Sequence, residues 1–204
     1  IARATAAILV LLPRPLLLFT ARLLGRAAYV LVAKHRKAAI QNLSLAFGPA
    51  KSEKEIRETA RLVFENLAQT CAYILLFPKI DLRRLDRFVE MGDMVQVCQS
   101  LLDEGKGLIV IASHIGNWEL LGAALKLNGL PGKPVARRVR YEPYNQWIEK
   151  LRRSVKVEVI YRNESPKEII RSLRRGEFIG LLPDQYIVTL RGVFVDFFGR
   201  PAYT

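Results

Sequence analysis

The sequence is poor in the residues that make redox, metal or disulfide chemistry. Among 204 residues there are two cysteines, two histidines, two methionines and two tryptophans. Cys71 and Cys98 stand too far apart for a metal-ligand spacing, and two cysteines make no disulfide framework. Both fall on helical patterns and read as buried thiols of a reducing compartment. Two histidines and two cysteines also leave no metal cluster. No serine lies in a G-x-S-x-G elbow, which removes support for a serine hydrolase of that type. No P-loop and no G-x-G-x-x-G loop is present. Long uncharged apolar runs are missing as well: neither half of the apolar N-terminal stretch reaches the roughly 18 residues of a membrane-spanning helix.

Acidic residues are scarce relative to basic ones, 19 against 32, a formal net charge of +13. That surplus points to a polyanionic partner. With no zinc-finger spacing and no RNA-binding aromatic signature, nucleic acid is the weaker choice. An apolar fraction of 50%, with arginines interleaved among leucines, favours an anionic membrane surface. Leu16 to Ala33 is apolar with Arg22 and Arg26 on one helical face, and Lys34-His35-Arg36-Lys37 follows. This reads as an interfacial helix with leucines in the acyl boundary and arginines toward lipid phosphates. His35 in that run reads as solvated. Residues 1–40 are therefore expected to be a membrane-associated helical segment ahead of a domain at 41–204.

Ser52 with Glu55 forms a capping box, so a helix should start near Glu53 and end at Pro78, its apolar stripe covering a sheet. From residue 86 the pattern alternates. A strand is expected at 87–90, a helix opened by Asp93 and Gln96 and closed by Gly105, and strands at 108–112, 134–139, 157–161, 178–182 and 193–197. The intervening helices are expected at 117–128, 143–154 and from Ser165-Pro166 to Gly176. Alternating strands and helices predict an α/β fold with a mostly parallel central sheet flanked by helices.

The most informative stretch is Leu108 to Leu125, LIVIASHIGNWELLGAAL. A buried strand runs into a polar turn and a helix start, with His114 at the strand's end. In open α/β sheets ligands bind beyond the carboxyl ends of the strands, and a helix start offers free N–H groups to an anion. Five residues separate His114 from Glu119. This spacing suggests a general base and the carboxylate that orients it by accepting its other ring N–H. A near-neutral imidazole suits proton abstraction from a hydroxyl. Asn117 either caps the helix or holds a carbonyl oxygen, and Trp118 reads as packing. Arg137, Arg138, Arg140, Arg152 and Arg153 offer guanidinium forks to phosphate. Asp184 and Gln185 close a strand and are placed to touch polar substrate. Phe198 with Gly199 reads as an apolar wall and the turn beside it.

HIGNWE, with its strand and helix, resembles the H-x4-D/E motif of glycerolipid and lysophospholipid acyltransferases. Its form is similar to that of the bacterial lipid A biosynthesis (late) acyltransferases. NLSLAF at 42–47, GLLPDQ at 180–185 and VDFFGRPA at 195–202 extend the resemblance over essentially the whole chain. It implies a glycerolipid acyltransferase-like fold, truncated at the C-terminus. The implied activity transfers a fatty acyl group from acyl carrier protein to a hydroxyl of a phosphorylated glycolipid, the lipid A precursor. Acyl-ACP or acyl-CoA serves as co-substrate, with no other cofactor, at the cytoplasmic face of the inner membrane. His114 and Glu119 would be catalytic. The family arginine after the next strand is best matched by Arg138, though Glu142-Pro143 replaces the usual spacing and Arg137 or Arg140 could take its place; a further one matches Arg152. Asp196 stands where the family has proline. Other acceptors, a phosphatidylinositol mannoside or a lysophospholipid, and a non-catalytic basic membrane-surface module are the alternative readings.

Overall fold

The computed structural model describes residues 11–80, 87–162, 165–185 and 192–204. They group into two compact units divided between Leu76 and Phe77.

The first unit is helical: α1 (Arg14–Leu31), α2 (Ala33–Phe47) and α3 (Glu53–Leu76). Pro13 precedes α1 and Pro15 lies in its first turn, where a missing N–H costs nothing. Leu17, Ala21 and Gly25 are its buried residues, spaced by four along one stripe. A Cβ at Gly25 would sit 2.6 Å from the Phe64 carbonyl oxygen, so only glycine lets α1 and α3 cross this closely. The Ser52–Glu55 capping box forms as expected: the Ser52 N–H donates to Glu55 at 2.8 Å, and the Glu55 N–H donates to the Ser52 hydroxyl. The apolar stripe of α3 is used against α1 and α2 within this unit. Cys71 on α3 is exposed, contrary to expectation, and Cys98 is buried.

Glu65 of α3 is the polar centre of this unit, with its side chain 3% exposed. Arg22 Nε donates to Oε2 and Arg26 Nε to Oε1, each at 2.6 Å, and Arg61 also pairs with it. Arg22 and Arg26 therefore spend their Nε donors inside the protein, not on lipid phosphates as the sequence suggests. Leu16, Phe19, Leu23, Leu24, Val30 and Leu31 face outward from the same helix. No single described helix is long and apolar enough to cross a membrane, but α1 and α2 pass that test together, bent by 91° at Val32.

The second unit is α/β. A four-stranded parallel sheet in the order β1-β4-β2-β3 combines β1 (Leu108–Ile111), β2 (Gly132–Ala136), β3 (Ile160–Tyr161) and β4 (Phe178–Leu181). Its helices are α4 (Met94–Asp103), α5 (Trp118–Leu127), α6 (Glu142–Arg153) and α7 (Ser165–Arg174). Cys98, Leu102, Leu125, Leu130 and Phe178 form the core where α4 and α5 meet the sheet. Residues 87–90 form no strand. Asp93 precedes α4 without capping it through its side chain, whereas Gly105 adopts the expected left-handed conformation at φ +75. The last expected strand is not in the parallel sheet: β5 (Phe194–Phe197) pairs antiparallel with β6 (Arg200–Tyr203) in a separate hairpin.

Gly132 opens β2 at φ +153, and a Cβ there would lie 2.2 Å from the Phe178 carbonyl oxygen. Gly132→Ala should therefore cost roughly 3 kcal/mol through backbone strain and overlap. Gly129→Ala, at φ +86 in open space, should cost only about 1 kcal/mol; thermal unfolding of the two variants makes the comparison. For Glu65, burial raises the pKa but the hydrogen bonds from Arg22 and Arg26 and the nearby Arg61 charge outweigh it, leaving it below the usual value. A depressed folded pKa means stability that is present above the unfolded carboxylate's pKa and lost as pH falls through the folded one. Glu65→Gln should lower stability at neutral pH by about 2 kcal/mol, because the arginines reach solvent. It should also flatten the acid-side loss, as read by denaturant titration between neutral and acidic pH.

Candidate active site

The parallel pairing of β1 with β4 builds the site. Ile111 lies opposite Leu181, and the Ala112 N–H donates to the Leu181 carbonyl at 2.9 Å. Three residues beyond each strand stand His114 and Asp184. The His114 backbone N–H donates to Asp184 Oδ2 at 2.7 Å, and its ring Nδ1 lies 2.7 Å from Asp184 Oδ1. A carboxylate can only accept, so Nδ1 carries a proton, and in the neutral ring Nε2 holds the lone pair. Both side chains are part-exposed, 28% and 33%. Burial pushes the Asp184 pKa up, but the hydrogen bonds from the His114 side chain and backbone outweigh it and hold it below the usual range.

Gly116, at φ +65, turns the chain from β1 into α5. Asn117 is the N-cap: its Oδ1 accepts from the Leu120 N–H at 3.0 Å. Its Nδ2 is buried with no hydrogen-bond partner among the described residues. Trp118 packs its edge on the imidazole, ring centroids 4.9 Å apart.

Glu119 does not meet His114. In the first turn of α5 it is held by Arg152 of α6, Nε to Oε2 at 2.9 Å and Nη2 to Oε1 at 2.5 Å. The pair is largely buried, 12% and 18% exposed. The expected His114–Glu119 tether is thus replaced by two separate pairs, because a bidentate guanidinium uses both Glu119 oxygens at once. Burial opposes the Arg152 charge, but Glu119 outweighs it and raises the Arg152 pKa.

The loop after β2 carries Arg137, Arg138 and Arg140, all exposed. The Arg138 guanidinium lies 4.3 Å from the Tyr161 ring centroid and contacts Glu142. What fixes this loop is Asn145, 3% exposed, which sequence reasoning did not single out as an anchor. Its Oδ1 accepts from the Val139 N–H at 3.1 Å, and its Nδ2 donates to Glu149 and to the Tyr161 hydroxyl, both at 2.9 Å. Tyr161 in turn hydrogen-bonds Glu149. The one sequence signal was the i,i+4 spacing of Asn145 and Glu149.

Gln185 is exposed beside Asp184. Phe198 and Gly199 make the two-residue turn of the β5–β6 hairpin, at φ 55 and 68. The Asp196 carboxylate accepts from the Gly199 N–H at 3.1 Å. The Thr204 hydroxyl donates to the Pro183 carbonyl, so the hairpin's base adjoins the residue before Asp184. Among the described residues no group of three or more His, Cys, Asp or Glu is placed to hold a metal ion.

Comparison with known proteins identifies a family and a relative. The family described as bacterial lipid A biosynthesis acyltransferase matches residues 1–204. A phosphatidylinositol mannoside acyltransferase of Mycolicibacterium smegmatis (strain ATCC 700084 / mc(2)155) is 32% identical over 128 residues, 60% of this chain and 41% of that protein. The match thus spans about two-fifths of the relative's length.

Removing one partner of a largely buried ion pair leaves the other charge stranded. Arg152→Ala should cost about 3 kcal/mol, whereas replacing Glu119 and Arg152 together by leucine should cost clearly less than the sum of the single changes. A double-mutant cycle by urea denaturation measures both.

Proposed function

Because this chain belongs to the bacterial lipid A biosynthesis acyltransferase family, we propose that it transfers a fatty acyl group from an acyl-carrier-protein thioester to a hydroxyl of a phosphorylated glycolipid. The observation that carries the reading is the imidazole of His114 at the end of β1, its Nδ1 engaged by a carboxylate and Nε2 left to act as base. Nε2 takes the acceptor's proton as its oxygen attacks the thioester carbonyl. The tetrahedral intermediate then expels the thiolate, which recovers the proton from the imidazolium. Arg137, Arg138 and Arg140, on the loop after β2, supply cations for the acceptor's phosphate. Arg152 is committed to Glu119 and contributes from that fixed position. Asn117 lies beside the base, and Gln185, Phe198 and Gly199 contribute to substrate binding around the strand end and the hairpin.

The outward apolar face of α1 and the net charge of +13 support work at the cytoplasmic face of the inner membrane. They also suit an acidic carrier protein, which opposite charge would steer to the surface. A second acceptor is favoured by one observation: the mycobacterial relative bears the name of a phosphatidylinositol mannoside acyltransferase. The shared demand is a hydroxyl near phosphate.

The test incubates full-length protein with a mixed pool of acyl thioesters and each acceptor in turn, with product lipids read by mass spectrometry. Wild type should acylate the phosphorylated glycolipid. His114→Ala should lose turnover by about 10²-fold or more while retaining lipid binding in vesicle flotation. Unchanged turnover in His114→Ala would leave only a basic lipid-associated module, and exclusive acylation of the mannoside would reassign the acceptor.

A further inference from the structure

One cation of the loop after β2 already carries an anion. The Arg138 guanidinium lies over the Tyr161 ring, 4.3 Å from its centroid. That ring is held in place: its hydroxyl accepts from Asn145 Nδ2 at 2.9 Å and pairs with Glu149. Asn145 also accepts from the Val139 N–H, next to Arg138. A guanidinium on an aromatic face keeps its N–H fork for partners at the edge. Glu142 of α6 stands there, and Arg138 Nη1 donates to its Oε2 at 3.4 Å. Its other oxygen accepts from Gln146 Nε2 at 3.3 Å. Glu142 opens α6, whose N-cap Tyr141 supplies no side-chain hydrogen bond, so the positive end of the helix dipole also favours this carboxylate. Arg138 and Glu142 are about half exposed, 47% and 49%, and a ligand can reach both. Such an exposed pair adds little to stability. To an incoming anion it presents a resident negative charge.

We propose that Glu142 is a specificity-determining residue of the arginine loop: it penalises a second negative charge on the acceptor's phosphate, so that a phosphodiester, with one charge, is favoured relative to a phosphomonoester, with two. The proposal rests on the reading that this loop takes the acceptor's phosphate, but headgroup binding can be measured without any turnover. Arg137, Arg138 and Arg140 attract either phosphate. Glu142 opposes them in proportion to the ligand's charge. A phosphate that takes the Arg138 fork from Glu142 still meets its carboxylate nearby, because that side chain is rooted in the first turn of α6. Selection then comes from a cost placed on the wrong headgroup, not from an added contact with the right one.

Dodecyl phosphate and dodecyl methyl phosphate share one chain and differ by one charge, because a monoester's second pKa is about 6 and at about pH 8 it is a dianion. Isothermal titration of each into full-length protein in neutral-detergent micelles gives two dissociation constants. Near a protein surface, removing a charge several ångströms away is worth roughly threefold in affinity per ligand charge. Glu142→Gln should therefore tighten dodecyl methyl phosphate by about threefold and dodecyl phosphate by about tenfold. Glu142→Asp keeps the charge and should hold the ratio of the two constants within about twofold of wild type. Arg138→Gln should weaken both probes. Glu158 pairs with Lys133 of β2 at 3.2 Å, so Glu158→Gln makes the same change in net charge outside the arginine loop and should leave both constants as they are. In turnover, the KM for each acceptor should follow the same order, with the KM for the acyl thioester unchanged.

An unchanged ratio in Glu142→Gln, an equal shift in Glu158→Gln, undiminished binding in Arg138→Gln, or wild-type protein that binds neither probe would each overturn the proposal. If Glu142→Gln lacks the wild-type thermal transition, Glu142→Asn makes the same charge change and decides the matter. Wild-type protein that transfers no acyl group would defeat the acyl-transfer reading alone, since the titrations still report how the loop weighs one charge against two.

Discussion

Parallel pairing of β1 with β4, in the register that sets Ile111 opposite Leu181, is the constraint on which the site depends. Side chains seventy positions apart in sequence, His114 and Asp184, become neighbours because each stands three residues past the end of its strand. The ladder continues one step further through the Ala112 N–H, and beyond it Asp184 satisfies the backbone N–H of His114 where no strand partner remains. A slip of one residue would separate the pair and turn every β1 side chain to the opposite face. Gly132, tight against Phe178 at the start of β2 and β4, is among the features that hold the sheet in this arrangement.

Much of this was legible in the residues. The apolar run, polar turn and helix start around HIGNWE located β1, α5 and the imidazole between them. The Ser52–Glu55 box and Gly105 marked their helix ends. What sequence could not supply was competition between partners. An H-x4-E spacing brings two groups within reach, yet Glu119 also faces Arg152, thirty-three residues on, and a planar guanidinium meets both carboxylate oxygens where an imidazole could meet one. The same limit applies to Arg22 and Arg26. Their helical face was correctly read, but the buried acceptor that claims them, Glu65, lies on another helix. Residues 87–90 and Asp93 mark a different limit, where a local pattern fitted an element or a cap that the backbone does not form.

The first unit shows how a basic, leucine-rich segment can be ordered without leaving its charges idle. One carboxylate at the crossing of α1 and α3 gathers three guanidinium groups, which lets the side of α1 that carries Ala21 and Gly25 pack inward against α3. The leucines and Phe19 are then left on the outside. That inversion, cations gathered on an internal anion and apolar groups turned outward, suits contact with a lipid surface better than burial in water.

Asn145 has a consequence of a different kind. The arginine loop after β2 is moored to α6 and Tyr161 through that one amide, whereas the imidazole is moored through β4. Because the two fixings share no residue, segment 137–141 can change its length or its cations without disturbing the ring. Under the proposed function, preference for one acceptor headgroup over another is thereby free to drift in evolution while the chemistry of transfer stays in place.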